Sequence, residues 1–375
     1  MSLDAVELTK KLLSYNTINP PGNEQAVMES LGEMLTGAGF VVELLDYAPG
    51  RKHLLARLQS SGKSPAIAFT GHLDTVPLGE APWSVDPFAG EIAGDRLYGR
   101  GSSDMKGGVG ALVVAALSAA QYPRSSDIIL VLTADEETGC SGARRLVAST
   151  PPPLLPTSGV KLLVVGEPTG NVPMFGHKGA LWLRGSCQGK SAHGSMPELG
   201  ENAIYKAAQA VGALAAYKFK GKPHPLLGSP TLNIGTFTGG RNINSVPDRA
   251  QFTVDLRSVP GQSHSELRTV LAECVGDDVE WESELDVEGV MSDPNNIELQ
   301  RVSAIVTAVT GKAVGPRVET ATYFTDASAL VPAMGGVPAV ILGPGELSQA
   351  HVTDEWCSIR ALEQATEIYQ RILNE

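Results

Sequence analysis

Ala66-Ile67-Ala68-Phe69-Thr70-Gly71-His72-Leu73-Asp74-Thr75 carries an apolar run straight into a histidine and an acid. The run 66–70 suits a buried strand and is too short for a helix. The pattern recurs, with apolar runs at 41–45, 53–58, 128–133, 161–165 and 339–342 and helical patterns at 24–38, 106–120 and 359–373 between or after them. Strands alternating with helices build βαβ units, with helices on both faces of one sheet. Between 178 and 289 the rhythm changes to strand (180–187), helix (201–217), two strands (231–237 and 250–256), helix (265–274) and strand. The expected fold class is therefore α/β: a doubly wound mixed sheet with an inserted ferredoxin-like α+β domain. Its expected divisions are 1–178, 179–290 and 291–375.

A length of 375 residues exceeds what one core usually organises, and 42% apolar content suits a globular chain. The first 13 residues hold Asp4 and Glu7 among apolar positions, which reads as a helix rather than a leader, so the expected location is cytoplasmic. The longest run of small apolar residues, 109–120, is too short to span a bilayer, and no membrane partner is expected. Formal charge is −12 with Lys and Arg scattered, so no nucleic-acid partner is expected either, since phosphate backbones need a basic face. Cys140, Cys187, Cys274 and Cys357 form no C-x-x-C pair and are expected to be reduced core thiols. Pro151-Pro152-Pro153 reads as a stiff surface loop.

The chemistry-bearing residues fall at strand ends. His72 and Asp74 follow the run 66–70 and, two apart in an extended stretch, point the same way. An imidazole that binds a metal commonly gives its other N–H to a carboxylate, a role Asp74 is placed to take. Alone, H-x-D is better read as a hydrogen-bonded histidine at a strand end. Asp104, ahead of the helix 106–120, is a candidate ligand or an N-cap. Asp135-Glu136-Glu137 ends the strand 128–133, and adjacent acids repel unless cations hold them, with a solvated acidic loop as the rival. Glu167 ends another apolar strand, and His351 follows the turn Gly343-Pro344-Gly345. Successive strands of one sheet would deliver all of these to a common crevice, and that convergence points to a metal centre. Imidazole and carboxylate ligands without Cys suit Zn²⁺, with Co²⁺ or Mn²⁺ able to substitute.

In this order, Gly71-His72-Leu73-Asp74-Thr75-Val76-Pro77, the stretch from Asp86-Pro87-Phe88 to Gly108, Asp135-Glu136-Glu137-Thr138-Gly139, Gly166-Glu167-Pro168-Thr169, Ala350-His351 and Asp354-Glu355 resemble the M20 family of metallopeptidases. That family contains acetylornithine deacetylases, succinyl-diaminopimelate desuccinylases and related carboxypeptidases, and the resemblance covers nearly the whole chain. It implies two Zn²⁺ per subunit, with Asp104 bridging, His72 and Glu167 completing one set, and Glu137 and His351 the other. It implies Glu136 as general base with Asp74 in support. Gly189-Lys190-Ser191-Ala192-His193-Gly194-Ser195 resembles the loop of the family's dimerisation domain, which implies a homodimer in which His193 reaches the partner's active site. Asn244 and Arg257 match positions that recognise a substrate carboxylate or oxyanion, though by themselves they equally describe a turn cap and a partner of Asp255.

The segment Gly343 to His351 looks like the deacetylase branch, whose glycine turn, here Gly343 and Gly345, approaches the substrate carboxylate with backbone N–H groups. Ser328 stands two after Asp326, where desuccinylases carry Arg. The expected activity is therefore removal of an acetyl or other small acyl group from an N-acyl amino acid, with desuccinylase second and dipeptidase or carboxypeptidase third. A metal-stabilised binding protein is the non-enzyme alternative, disfavoured by the presence of Glu136. A serine or cysteine hydrolase is disfavoured because no G-x-S-x-G elbow precedes a helix.

Overall fold

A computed structural model describes residues 4–148, 152–312 and 319–374, so residues 1–3 of the expected N-terminal helix and Pro151 of the expected proline loop lie outside the described residues. Contacts divide the chain into two units. One is built from Met1–Gly176, Met291–Thr320 and Thr325–Glu375, the other from His177–Val290 with Ala321–Phe324.

In the first unit the apolar runs became neighbouring strands. Their order across the sheet is Val41–Ala48, Arg51–Leu58, Ser126–Thr133, Ser64–His72, Val160–Val165 and Ala339–Ile341. The last four run parallel to one another, while Arg51–Leu58 is antiparallel to both Val41–Ala48 and Ser126–Thr133. The sheet is mixed, as expected. Successive side chains point to opposite faces. Ile67 and Phe69 join one core cluster, and Ala68 and Thr70, which face the other way, are buried too. Burial of both parities means both faces are covered, the mark of a parallel α/β sheet.

The helix Gly107–Ala119 has buried residues all round, so it is a central helix rather than a surface one. It packs against Ala5–Leu13 and Ile359–Asn374. Ala5–Leu13 begins where Asp4 accepts the N–H of Glu7 at 2.8 Å, a side-chain N-cap. In Ile359–Asn374 the buried residues Leu362, Ala365, Ile368, Tyr369, Ile372 and Leu373 recur at helical spacing, each large side chain contributing about 1.5–3 kcal/mol of burial. A three-stranded ribbon of Ile92–Ala93, Arg96–Tyr98 and Trp356–Ser358 has no counterpart among the expected strands.

The second unit is an antiparallel sheet ordered Thr231–Gly239, Arg249–Ser258, Gly179–Gln188, Glu280–Val287, with the helices Ala203–Ala216 and His264–Val275 packed together. Leu181, Leu183, Phe252, Val254 and Leu256 form one core with Ala207, Leu214, Leu267 and Leu271 from the helices. Chain order β-α-β-β-α-β with this strand order is the ferredoxin-like arrangement.

Candidate metal centre

Register builds the site. Thr70 pairs with Val165, His72 with Thr133, and Ile341 with Val165. Parallel neighbours leave the sheet at the same level, so His72 emerges between the turn bearing Glu136 and Glu137 and the turn bearing Glu167. Asp104 lies in the irregular Ser102–Lys106 segment with φ −120 and ψ 95, and the following helix starts from Lys106. Asp104 is therefore no N-cap. His351 occupies a turn at φ 63, its side chain half exposed.

The structure brings the five candidate ligands together. His72 Nε2 lies 3.4 Å from Asp104 Oδ1 and 3.8 Å from Glu167 Oε1. His351 Nε2 lies 3.4 Å from Asp104 Oδ2 and 3.1 Å from Glu137 Oε2. Each oxygen of Asp104 thus faces a different histidine. Two ligands about 2.0–2.2 Å from one tetrahedral ion stand roughly 3.3–3.6 Å apart, so these separations fit two divalent ions sharing Asp104. Among the described residues, buried His72 Nε2 and Glu137 Oε1 have no hydrogen-bond partner, an expensive arrangement unless an ion takes them.

Electrostatics agrees. Burial, reinforced by neighbouring carboxylates, pushes Glu136 and Glu167 well above the usual range, and burial together with Asp104 raises Glu137. Burial works to raise Asp104 as well, but hydrogen bonds with His351 and His72 hold it below the usual range. The bonds to Asp104 and Glu137 push His351 up to about 10. So many acids buried in one place call for positive charge among them.

Asp74 differs from expectation in its contacts. His72 Nδ1 lies 3.0 Å from the backbone carbonyl of Asp74 and 3.5 Å from its carboxylate, so the carbonyl is the nearer acceptor. The carboxylate instead accepts the backbone N–H groups of Glu136 and Glu137, each at 3.1 Å, and Asn19 Nδ2 at 2.9 Å. It shapes the turn that carries Glu136, the candidate base. Asp135, at φ 63, turns aside to Tyr47, Asn19, Arg51 and Thr138. Two acids of the triplet face the site and one anchors it.

The family model described as Peptidase family M20/M25/M40 matches residues 68–375. This chain belongs to that family. Membership makes it a hydrolase of amide bonds. The M20 chain is 30% identical over 371 residues to the acetylornithine deacetylase of Aliivibrio salmonicida (strain LFI1238), covering 97% of this chain and 95% of that one. It is 29% identical to the acetylornithine deacetylase of Proteus mirabilis (strain HI4320), covering 98% and 95%. Its fold matches an M20 family metallo-carboxypeptidase from Sulfolobus solfataricus with TM-score 0.80 at 19% identity, covering 99% and 98%. The YXEP protein of Bacillus subtilis, described as a dinuclear metal binding peptidase, matches with TM-score 0.71 at 15% identity, covering 98% and 96%.

Of the remaining candidates of this M20 chain, His193, Asn244 and Arg257 belong to the second unit, and Gly343 and Gly345 to the first. His193 is exposed, its Nδ1 2.8 Å from Ser195 Oγ. It bridges to Ser245, and Gly194 N–H donates to Asn244 at 2.8 Å, so the His193 and Asn244 loops run side by side in the second unit. Arg257 pairs with Asp255 at 2.9 Å and its guanidinium lies over Trp182. Gly343 donates its N–H to Thr169 Oγ1 at 3.2 Å, so that N–H is not free for a substrate carboxylate. A Cβ there would stand 2.3 Å from the Gly166 carbonyl, and one at Gly345 2.2 Å from the Ser103 carbonyl; close packing of the turns that bear the candidate ligands requires glycine at both.

Several site residues were missed. Buried Asp326 accepts from Thr133 Oγ1 at 2.5 Å and stands with Glu136 and Cys140, its carboxyl pushed up to about 6 by burial. In the sequence, Asp326 served only as the landmark that locates Ser328. Cys140 is a buried thiol, as expected, but it donates to Glu136 Oε1 at 3.3 Å. Cys274 is only half-buried on its helix, so it is not a core thiol. Ser258, His264 and Asp286 form a chain of 2.7 and 2.6 Å hydrogen bonds in the order of a nucleophilic triad. Ser258 is wholly buried, so no substrate carbonyl reaches it, and the chain ties strand to helix.

Proposed function

We propose that this M20 chain is a two-zinc amidohydrolase that removes an acyl group, acetyl foremost, from an N-acylated amino acid. The observation that carries it is Asp104, whose two carboxylate oxygens each face a histidine 3.4 Å away, with Glu136 alongside. His72, Asp104 and Glu167 would hold one ion, and His351, Asp104 and Glu137 the other, with Co²⁺ or Mn²⁺ able to replace Zn²⁺. Bound there, two divalent ions supply Lewis acidity that polarises the scissile carbonyl and acidifies a nearby water.

Glu136 takes a proton from the attacking water as its oxygen joins the acyl carbon, and the same proton passes to the amine nitrogen as the C–N bond breaks. The products are a carboxylate and a free amino acid. Asp74 fixes the backbone from which Glu136 projects, and Cys140 holds one of its oxygens, leaving Oε2 toward His72 at 3.9 Å. Asn244 and Arg257 take the substrate carboxylate, and His193, supplied across a homodimer, steadies the developing oxyanion. The enzyme works in the cytoplasm. Among the described residues no helix is long and apolar enough to cross a membrane.

Acetylornithine deacetylase names on relatives of about 30% identity over nearly the whole chain support the acetyl branch. Ser328, in place of the Arg of desuccinylases, supports it further. The test is amine release by the zinc-loaded protein from N-acetyl, N-succinyl and N-formyl amino acids and from dipeptides. N-acetyl substrates are expected to turn over fastest. Preference for a succinyl group or a peptide would replace the deacetylase assignment with the corresponding branch.

A further inference from the structure

Glu355 is fully buried, and each of its oxygens is used twice. Oε2 accepts Arg100 Nη1 at 2.7 Å and the Gly101 N–H at 2.9 Å, while Oε1 accepts the N–H groups of Ser103 at 2.8 Å and Asp104 at 3.0 Å. A carboxylate ringed by backbone N–H groups makes charge-assisted bonds stronger than neutral ones, and here they define the path of the loop that ends in Asp104.

The connections reach further. Arg100, itself buried, extends Nη2 to the carbonyl of Pro77 at 3.1 Å, in the segment that begins with His72. Glu355 lies four residues after His351 and opens onto Trp356–Ser358, which pairs with Arg96–Tyr98. Gly99 N–H donates to the Glu355 carbonyl at 2.9 Å, and Ser103 Oγ to the Trp356 carbonyl at 2.8 Å. The segments carrying His72, Asp104 and His351 therefore meet at one buried ion pair.

We infer that Glu355 is a positioning residue of the metal centre: it holds the Gly101–Asp104 loop so that the two oxygens of Asp104 face His72 and His351 whether or not ions are bound. This rests on the metal reading of the same site. Asp104 has to divide its carboxylate between two ions, which leaves its own backbone little tolerance for movement. Its N–H is fixed by Glu355, and no regular helix or strand holds it, since its φ and ψ are non-helical. Residues that orient ligands typically change metal affinity about 10–100-fold when replaced.

The test compares wild type with Glu355→Gln, which keeps the shape but turns an amide nitrogen toward two N–H donors. Zn²⁺ affinities are measured by chelator competition and the Co²⁺-loaded protein by visible absorption, beside the thermal midpoints of the metal-free proteins. The expected result is at least tenfold weaker binding of one ion and an altered Co²⁺ spectrum, with Glu355→Asp intermediate. Unchanged affinity and spectrum overturn the inference even if the midpoint falls, because a merely structural role predicts that outcome. If neither variant folds, amide hydrogen exchange of metal-free wild type decides: protected Ser103 and Asp104 amides support the inference, and rapid exchange overturns it. A wild type that binds no divalent ion overturns the metal reading itself; a wild type that binds two, with variants that bind them equally well, overturns only the role of Glu355.

Discussion

Asp74→Asn should damage the base while sparing the metals. In wild type, Asp74 Oδ2 accepts from Asn19 Nδ2 and the Glu137 N–H, and Oδ1 accepts from the Glu136 N–H. An asparagine keeps one oxygen, which best takes the Oδ2 place and its two donors. Its amide nitrogen then faces the Glu136 N–H, donor against donor. A buried N–H left without an acceptor costs about 1–3 kcal/mol, and relief by shifting the turn moves Glu136 off its line. The Asn19 side chain has little freedom to compensate, because it also bonds Asp135 at 2.6 Å. The expected result is a stability loss of about 1–3 kcal/mol in urea unfolding, with kcat down roughly 10–100-fold and two ions still bound. Wild-type kcat and stability in a variant shown to hold two ions would refute this reasoning.

Glu136→Gln should retain both ions and lose about 10²–10⁴-fold in kcat, since an amide cannot accept the proton; near-normal turnover removes Glu136 from its role. Mixing inactive His193→Ala with inactive Glu136→Gln should restore part of the activity, because a heterodimer would own one intact centre, whereas no recovery after confirmed subunit exchange would place His193 within its own chain. In the second unit, the hydrogen bond from His264 holds the Asp286 carboxyl below the usual range. With the folded value below the unfolded one, its contribution is complete above the ordinary carboxylate range and is lost as pH falls through the folded value. The stability gap between wild type and Asp286→Asn should therefore be constant near neutrality and shrink below about pH 4; a gap independent of pH contradicts the pairing.

The sheet was legible because runs such as 66–70 and 161–165 are apolar enough to be strands of any buried sheet. Their ends ran further than expected, Ser64–His72 for the first, since pairing with Ser126–Thr133 continues through His72 itself. The ribbon joining Arg96–Tyr98 to Trp356–Ser358 was invisible: strands of three residues carry no periodicity, and their partners lie over 250 residues apart in the chain. The same distance hid the contacts of Glu355, although the residue itself stood in a block that resembles the family. The candidate ligands were legible as strand-end acids and histidines. Their division of labour was not, because the left-handed turn at Asp135 sends one acid of three away from the site, and a backbone carbonyl took the place expected for the Asp74 carboxylate.

The central claim is that two divalent ions share Asp104, and the most direct measurement is metal content of purified, active protein titrated with Zn²⁺ and read by elemental analysis. The account predicts two ions per chain at full activity, loss of activity with strong chelators, and recovery on re-adding Zn²⁺. Full activity with only trace divalent metal, undiminished by chelators, would contradict it.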